Sequence, residues 1–171
     1  EMVLLVGMAL DRQAPARAAE LADSGADSLH FYADDHGNEL NADRPRFLKD
    51  MIREVHLNLV ARGTRQKINL LFSGGIAMAE HMAKAIICGA YAVTADHALL
   101  IALECRLCGR CRDGLSCPVK LDQALDAAWG GDRITNLIAA WQGQLIELMG
   151  AMGIREARRL RGEVGRSMWF E

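Results

Sequence analysis

The sequence predicts an α/β protein built on a parallel sheet. Short apolar runs alternate with amphipathic stretches four times in succession, and glycine or polar turns separate them. Where that alternation stops, four cysteines fall close together, so a metal or cluster site is expected beside the α/β part. Four βα units match either half of an eight-unit barrel or a small doubly wound sheet.

Val3 to Val6, a leucine and valine run, suits a strand buried on both faces. Pro15 is tolerated in a helix's first turn, and Ala18, Ala19, Leu21 and Ala22 carry that helix to Gly25. Ser28 to Ala33 reads as the second strand. A polar stretch from Asp34 to Arg44 follows, long enough to be functional, although adjacent acids such as Asp34 and Asp35 beside His36 also suit a solvated loop. Pro45 opens a helix whose positions Phe47, Leu48, Met51, Ile52, Val55, Leu59 and Val60 recur at helical spacing, and Gly63 closes it. The third unit is strand Ile68 to Phe72, turn Ser73-Gly74-Gly75 and helix Ile76 to Cys88. Tyr91 to Thr94 forms the fourth strand, Ala95-Asp96-His97 a loop, and Ala98 to Leu103 the next helix. Beyond the cysteines, an apolar stripe from Ile134 to Met149 marks a helix with Asp132 as its N-cap, and Ile154 to Leu160 forms a basic terminal segment.

Composition excludes several classes. The chain has 171 residues, 51% hydrophobic and 25% charged, as expected of one globular domain. Twenty basic against 22 acidic side chains remove the electrostatic case for nucleic acid. No run of roughly 18 apolar residues is present, so no membrane span is expected. The sequence opens on Glu1 with no basic region or cleavage site, which predicts a cytoplasmic piece of a longer polypeptide.

The cysteines read Cys105-x2-Cys108-x2-Cys111-x5-Cys117-Pro118. Three thiolates at three-residue intervals, with a fourth returned before proline, match the ligand run of a [4Fe-4S] cluster. Gly109 and Gly114 let the backbone approach the sulfides, while Arg106, Arg110, Arg112 and Lys120 offset the cluster's negative charge. Zinc is the alternative, but its structural sites usually pair ligands across a longer loop. Disulfides would need an oxidising compartment. Cys88, in an alanine- and isoleucine-rich stretch, reads as a small core residue.

Ser73-Gly74-Gly75 joins a strand to a helix, where backbone N–H groups can receive an anion. Simple turn chemistry explains the same residues. In the next loop Asp96 would repel a phosphate and His97 could donate to one. His30 and His56 lie among apolar residues and read as core or face positions; His81 has no evident partner.

Taken in order, Ser73-Gly74-Gly75-Ile76, Cys88-Gly89-Ala90-Tyr91-Ala92-Val93, Ala98 to Leu103 and the cysteine run ending in Cys117-Pro118-Val119 resemble the C-terminal half of the FMN-binding synthase domain of glutamate synthase. Gly25-Ala26-Asp27 and the Leu145 to Gly153 stretch extend the resemblance over nearly the whole chain. It implies strands five to eight of a (β/α)8 barrel over residues 1–104, an iron-sulfur loop over 105–120 and a helical tail over 121–171. It further implies FMN near Ser73, Gly74, Gly75, Asp96 and His97, and a cluster on Cys105, Cys108, Cys111 and Cys117. Implied partners are the N-terminal half of the barrel or a redox subunit, with a ferredoxin or an NAD(P)H-dependent subunit as electron donor.

Three departures stand beside the match. The best-known members of the family use three cysteines and a [3Fe-4S] cluster, whereas four are present here. No lysine precedes Lys49, although the family's strand corresponding to Val3 to Val6 carries one. The glycine-rich loop after the sixth strand becomes Ala33-Asp34-Asp35-His36-Gly37, and the Gly-Thr after the eighth becomes Asp96-His97. Two functions are therefore expected as competitors: an iron-sulfur flavoprotein oxidoreductase domain, and a degenerate barrel that carries a cluster without flavin.

Overall fold

The computed structural model describes residues 2–121, 123 and 126–166. Its four strands are β1 (Leu5–Ala9), β2 (Ser28–Tyr32), β3 (Asn69–Ser73) and β4 (Ala92–Val93), all parallel and ordered β1-β2-β3-β4. That unbroken order decides between the two architectures left open by the sequence. A doubly wound sheet reverses its order at a switch point so that helices cover both faces, whereas a barrel adds each strand on the same side. The chain is the second kind, a partial (β/α)8 barrel.

The helices are α1 (Ala14–Asp23), α2 (Leu48–Ala61), α3 (Ala79–Cys88), the short α4 (Asp96–Ala102) and the long α5 (Ala127–Ala151). Alternation along the strands sets the faces. Leu29, Phe31, Leu70 and Phe72 point to the helices and are fully buried, with Phe31 and Phe72 stacked at 5.3 Å between ring centroids. Such a pair adds about 0.5–1.5 kcal/mol beyond its area burial. On the other face Leu5 and Tyr32 are exposed, as the inner wall of an incomplete barrel must be. α5 lies beside α3 and buries Trp141 in the same core, so it fills the fourth outer-helix place; α4 and the cysteine segment are inserted ahead of it.

Several boundaries differ from the sequence expectation. β1 is Leu5–Ala9 rather than Val3 to Val6, because pairing of Leu5 with Ser28 through Ala9 with Tyr32 places it, while Met2, Val3 and Leu4 stay exposed. α2 starts after Phe47, not at Pro45, since Asn38 and Phe47 form an antiparallel bridge that holds the preceding loop extended. α3 begins at Ala79 rather than Ile76, because Gly74 and Gly75 occupy positive φ and the chain needs Ile76 to Met78 to leave the turn. α4 starts at Asp96 instead of Ala98, β3 is displaced by one residue, and β4 is shortened by one residue at each end. The cap of α5 is Asp126, whose carboxylate accepts the Ala128 N–H at 2.9 Å, so Asp132 lies inside the helix. Beyond α5, Ile154 and Leu160 are buried against Ile86, Ile87 and Met149, and the basic terminal segment is thereby anchored to α3.

Two buried charges brace the loops. Glu39 is buried and receives Arg46 through two guanidinium hydrogen bonds at 3.0 Å, which hold its carboxyl below the usual range. Arg65 is buried at the opposite end of the sheet and donates to the carbonyls of Ile68 (2.8 Å) and Gly89 (2.7 Å) and to His56 Nδ1 (3.0 Å). Burial pushes its guanidinium down to about 10, and burial with the charges of Arg65, Arg161 and Arg53 pushes His56 down to about 4. No helix among the described residues is long and apolar enough to cross a membrane.

Candidate functional site

The loops that follow the C-terminal ends of β2, β3 and β4 meet the cysteine segment around an open cavity of about 530 Å3. Such loops carry the chemistry in barrel folds because the strands fix their roots while their sequences vary freely. All four clustered cysteines line this cavity, together with Gly75 and His97 from the predicted phosphate site. Residues about 70 positions away in sequence, Asp35 and His36, line it as well. Ser73, Gly74 and Asp96 do not line it. Ser73 is buried, with its hydroxyl 3.0 Å from His30 Nε2, and Asp96 is exposed, where it accepts the His97 N–H at 2.8 Å.

The glycine pair has a structural reason to be glycine. A Cβ on Gly74 would lie 2.5 Å from the Asp34 carbonyl oxygen, and one on Gly75 would lie 2.6 Å from the Gly37 nitrogen. The loop after β2 therefore sits directly on the turn after β3. Asp34 shapes that loop by accepting the N–H groups of His36 (2.9 Å) and Asn38 (2.7 Å); burial opposes its charge, and these bonds with the Asn38 side chain hold its carboxyl low. His81 supports the other side, with Nδ1 3.2 Å from the Gly75 carbonyl oxygen and 3.3 Å from the Ala77 nitrogen. Among the described residues, the backbone N–H groups of Gly74, Gly75 and Ile76 find no acceptor. Turn packing accounts for the glycines, and those N–H groups remain able to receive an anion.

The cysteine segment winds by repeated left-handed steps at Leu107, Gly109 and Gly114, around a short 3-10 turn at Arg110–Asp113. Cys105 and Cys117 are half-buried; Cys108 and Cys111 are exposed. None of the five cysteines is in a disulfide. The Leu107 N–H donates to Cys105 Sγ at 3.4 Å, and Arg110 Nε donates to the Ser116 carbonyl at 3.2 Å. The four cysteines line one cavity without converging on a point: among the described residues no three His, Cys, Asp or Glu side chains form a ready metal centre. As a donor set, four thiols around one cavity with an N–H aimed at sulfur suit an iron-sulfur cluster. Cys88 is remote from the cavity, packed against the core, and burial pushes its thiol up.

Asp35, which by sequence suits either a functional polar group or a solvated loop, has partners across the rim. Its carboxylate is bonded to Arg112 of the cysteine segment and lies 3.6 Å from His97 Nε2. The Arg112 hydrogen bond leads the causes that hold the Asp35 carboxyl below its ordinary range. The unusual length of the loop was the available signal.

Comparison with known proteins places this arrangement. Residues 48–155 match the family described as the conserved region in glutamate synthase. Among curated proteins, the archaeal glutamate synthase [NADPH] of Methanocaldococcus jannaschii is 35% identical over 93% of this chain and 33% of its own length. The archaeal-type glutamate synthase [NADPH] of Thermotoga neapolitana is 36% identical over 65% of this chain and 23% of its own. A flavocytochrome b2 variant with sulfite bound superposes with a TM-score of 0.65 at 16% identity, over 95% of this chain and 35% of that one. The recombinant flavin-binding domain of baker's yeast flavocytochrome b2 does so with 0.58 at 17%, over 95% and 34%. The chain thus spans about a third or less of the curated relatives it matches, and the distant structures share its fold. A family match over more than half of the chain, joined to the partial barrel and its cysteine segment, establishes that the chain belongs to the glutamate synthase family.

Proposed function

We propose that this chain is the cluster-bearing part of a glutamate-synthase-type oxidoreductase, in which electrons pass between a [4Fe-4S] cluster on Cys105, Cys108, Cys111 and Cys117 and FMN at the barrel rim. The observation that carries this reading is the shared cavity: all four cysteines line the same space as Gly75 and His97. The cluster would supply one-electron steps and the flavin the exchange between one and two electrons. The chain's own residues would bind and insulate these groups. The four thiolates would hold iron, and the Leu107 N–H would withdraw charge from Cys105 Sγ. Arg106 and Arg110, both on the cavity wall, would favour added electrons. Gly75 and His97 would orient an anionic group, and Leu100, Pro118 and Val119 would keep water from it. The exposed inner face of the sheet would be closed by the remaining barrel strands, from the same polypeptide or a partner. Reduced pyridine nucleotide, as in the names of the relatives, would be the electron source.

A second reading, a cluster-carrying barrel without flavin, draws on the Asp35 carboxylate, which stands 3.6 Å from His97 Nε2 and so occupies the side chain that would otherwise receive a phosphate. Anaerobic purification of the full-length polypeptide tests both. Brown protein with about four irons per chain that releases yellow fluorescence on heating supports the first reading. Iron without fluorescence supports the second, and colourless protein carrying zinc overturns both.

A further inference from the structure

We propose that Asp35 is a positioning residue that seats the cysteine segment on the barrel rim, by holding Arg112 of that segment beside His97 of α4. The proposal rests on the cluster reading only for its second test; the contact itself is a property of the polypeptide.

Asp35 stands on the loop after β2, the same loop whose backbone packs on Gly74 and Gly75. One oxygen bonds the Arg112 guanidinium and the other lies 3.6 Å from His97 Nε2. The loop after β2 and the cysteine segment share no backbone hydrogen bond and are tied at this side chain, whereas α4 is joined to the segment separately, by the Cys105 N–H donating to the Leu100 carbonyl at 2.9 Å. The tie matters because the stretch between Cys105 and Cys117 has little else to hold it. Its hydrogen bonds from Leu107 to Cys105, Arg110 to Ser116, Arg112 to Gly109, Gly114 to Cys111 and Leu115 to Arg110 all stay within it. Among the described residues, 106–116 form no other hydrogen bond or ion pair with the barrel. Leu107 and Leu115 are exposed rather than packed, so no apolar anchor replaces it.

The bond also decides where a charge sits. Arg112 follows Cys111 directly, and pairing with Asp35 neutralises a guanidinium that would otherwise bear on the thiolates. Asp35 therefore does two things through Arg112: it fixes the segment in place and moderates the positive charge beside its third cysteine.

The test uses the full-length polypeptide freed of metal and digested with thermolysin, which cuts before exposed leucines. An exposed ion pair contributes little, so Asp35→Ala and Arg112→Gln should each speed cleavage at Leu107 and Leu115 by about three- to fivefold. The exchanged pair Asp35→Arg with Arg112→Asp should return the rate to near that of the unaltered protein. Unchanged cleavage in both single variants, or an exchanged pair cut as fast as they are, overturns the proposal. In iron-loaded protein the midpoint potential should rise in Asp35→Ala and fall in Arg112→Gln, because a negative charge is lost in one and a positive charge in the other. A merely loosened segment would move both the same way, and that result also overturns it. If no chromophore is obtained, the cluster reading fails while the digestion still decides the seating.

Discussion

The sheet with its outer helices and the cysteine segment solve the problem of order by opposite means. In the first, Leu29, Phe31, Leu70 and Phe72 are removed from water and interlock with helix side chains, so position follows from burial. In the second, residues 106–116 are almost all exposed, and their path follows from left-handed backbone steps, local hydrogen bonds and one carboxylate on a distant loop. The difference teaches that a barrel end can present ligands on a segment with no core of its own, provided that rigid strands supply the rim.

The largest expected effect separates the two regions directly. Phe72→Ala should cost about 3–5 kcal/mol by denaturant titration, while Leu115→Ala should change stability by under about 0.5 kcal/mol. Comparable losses would break the contrast.

Gly74→Ala probes the seam between them. Its φ of 96° disfavours a side chain, and the new Cβ would meet the Asp34 carbonyl, so a loss of about 1–3 kcal/mol is expected in thermal unfolding. A silent substitution would show that the loop after β2 can lift from the turn.

Acid should act on the body rather than on the segment, through His56. Its folded value of about 4 lies below the ordinary 6.5, so between these the unfolded chain takes up a proton that the folded chain refuses. Stability is then complete above about 6.5 and declines as pH falls toward 4. His56→Gln should flatten that part of a stability profile measured from pH 7 to pH 4.5; an unaltered slope would assign it to another group.

The smallest effect concerns the helix that follows the segment. Asp126→Ala removes the cap of α5 and should cost about 1 kcal/mol, whereas Asp132→Ala, inside the helix, should cost less. The reverse order would restore the helix start that the sequence suggested.

Legibility in the sequence follows the same division. The four βα units were readable because burial imposes periodicity on a strand or helix by itself. Their ends were not: β1 is set by its partner β2, so Val3 and Leu4, as apolar as the Leu5 and Val6 that follow, fall outside it. Cysteine spacing, a local property, marked the segment at once. Ser73 and Gly74 were grouped with Gly75 by adjacency, yet the first turns to His30 and the second packs under the Asp34 carbonyl.

By itself the sequence determined the α/β class, the parallel strands, the cysteine run and the family resemblance, since each is written in spacing along the chain. Only the tertiary structure decided that the strands add in one direction as a barrel does, that α5 rather than α4 takes the fourth outer place, and that Asp35 meets Arg112 and His97. Those outcomes depend on which loops the parallel sheet brings to one rim, and no local pattern records a contact 77 residues apart.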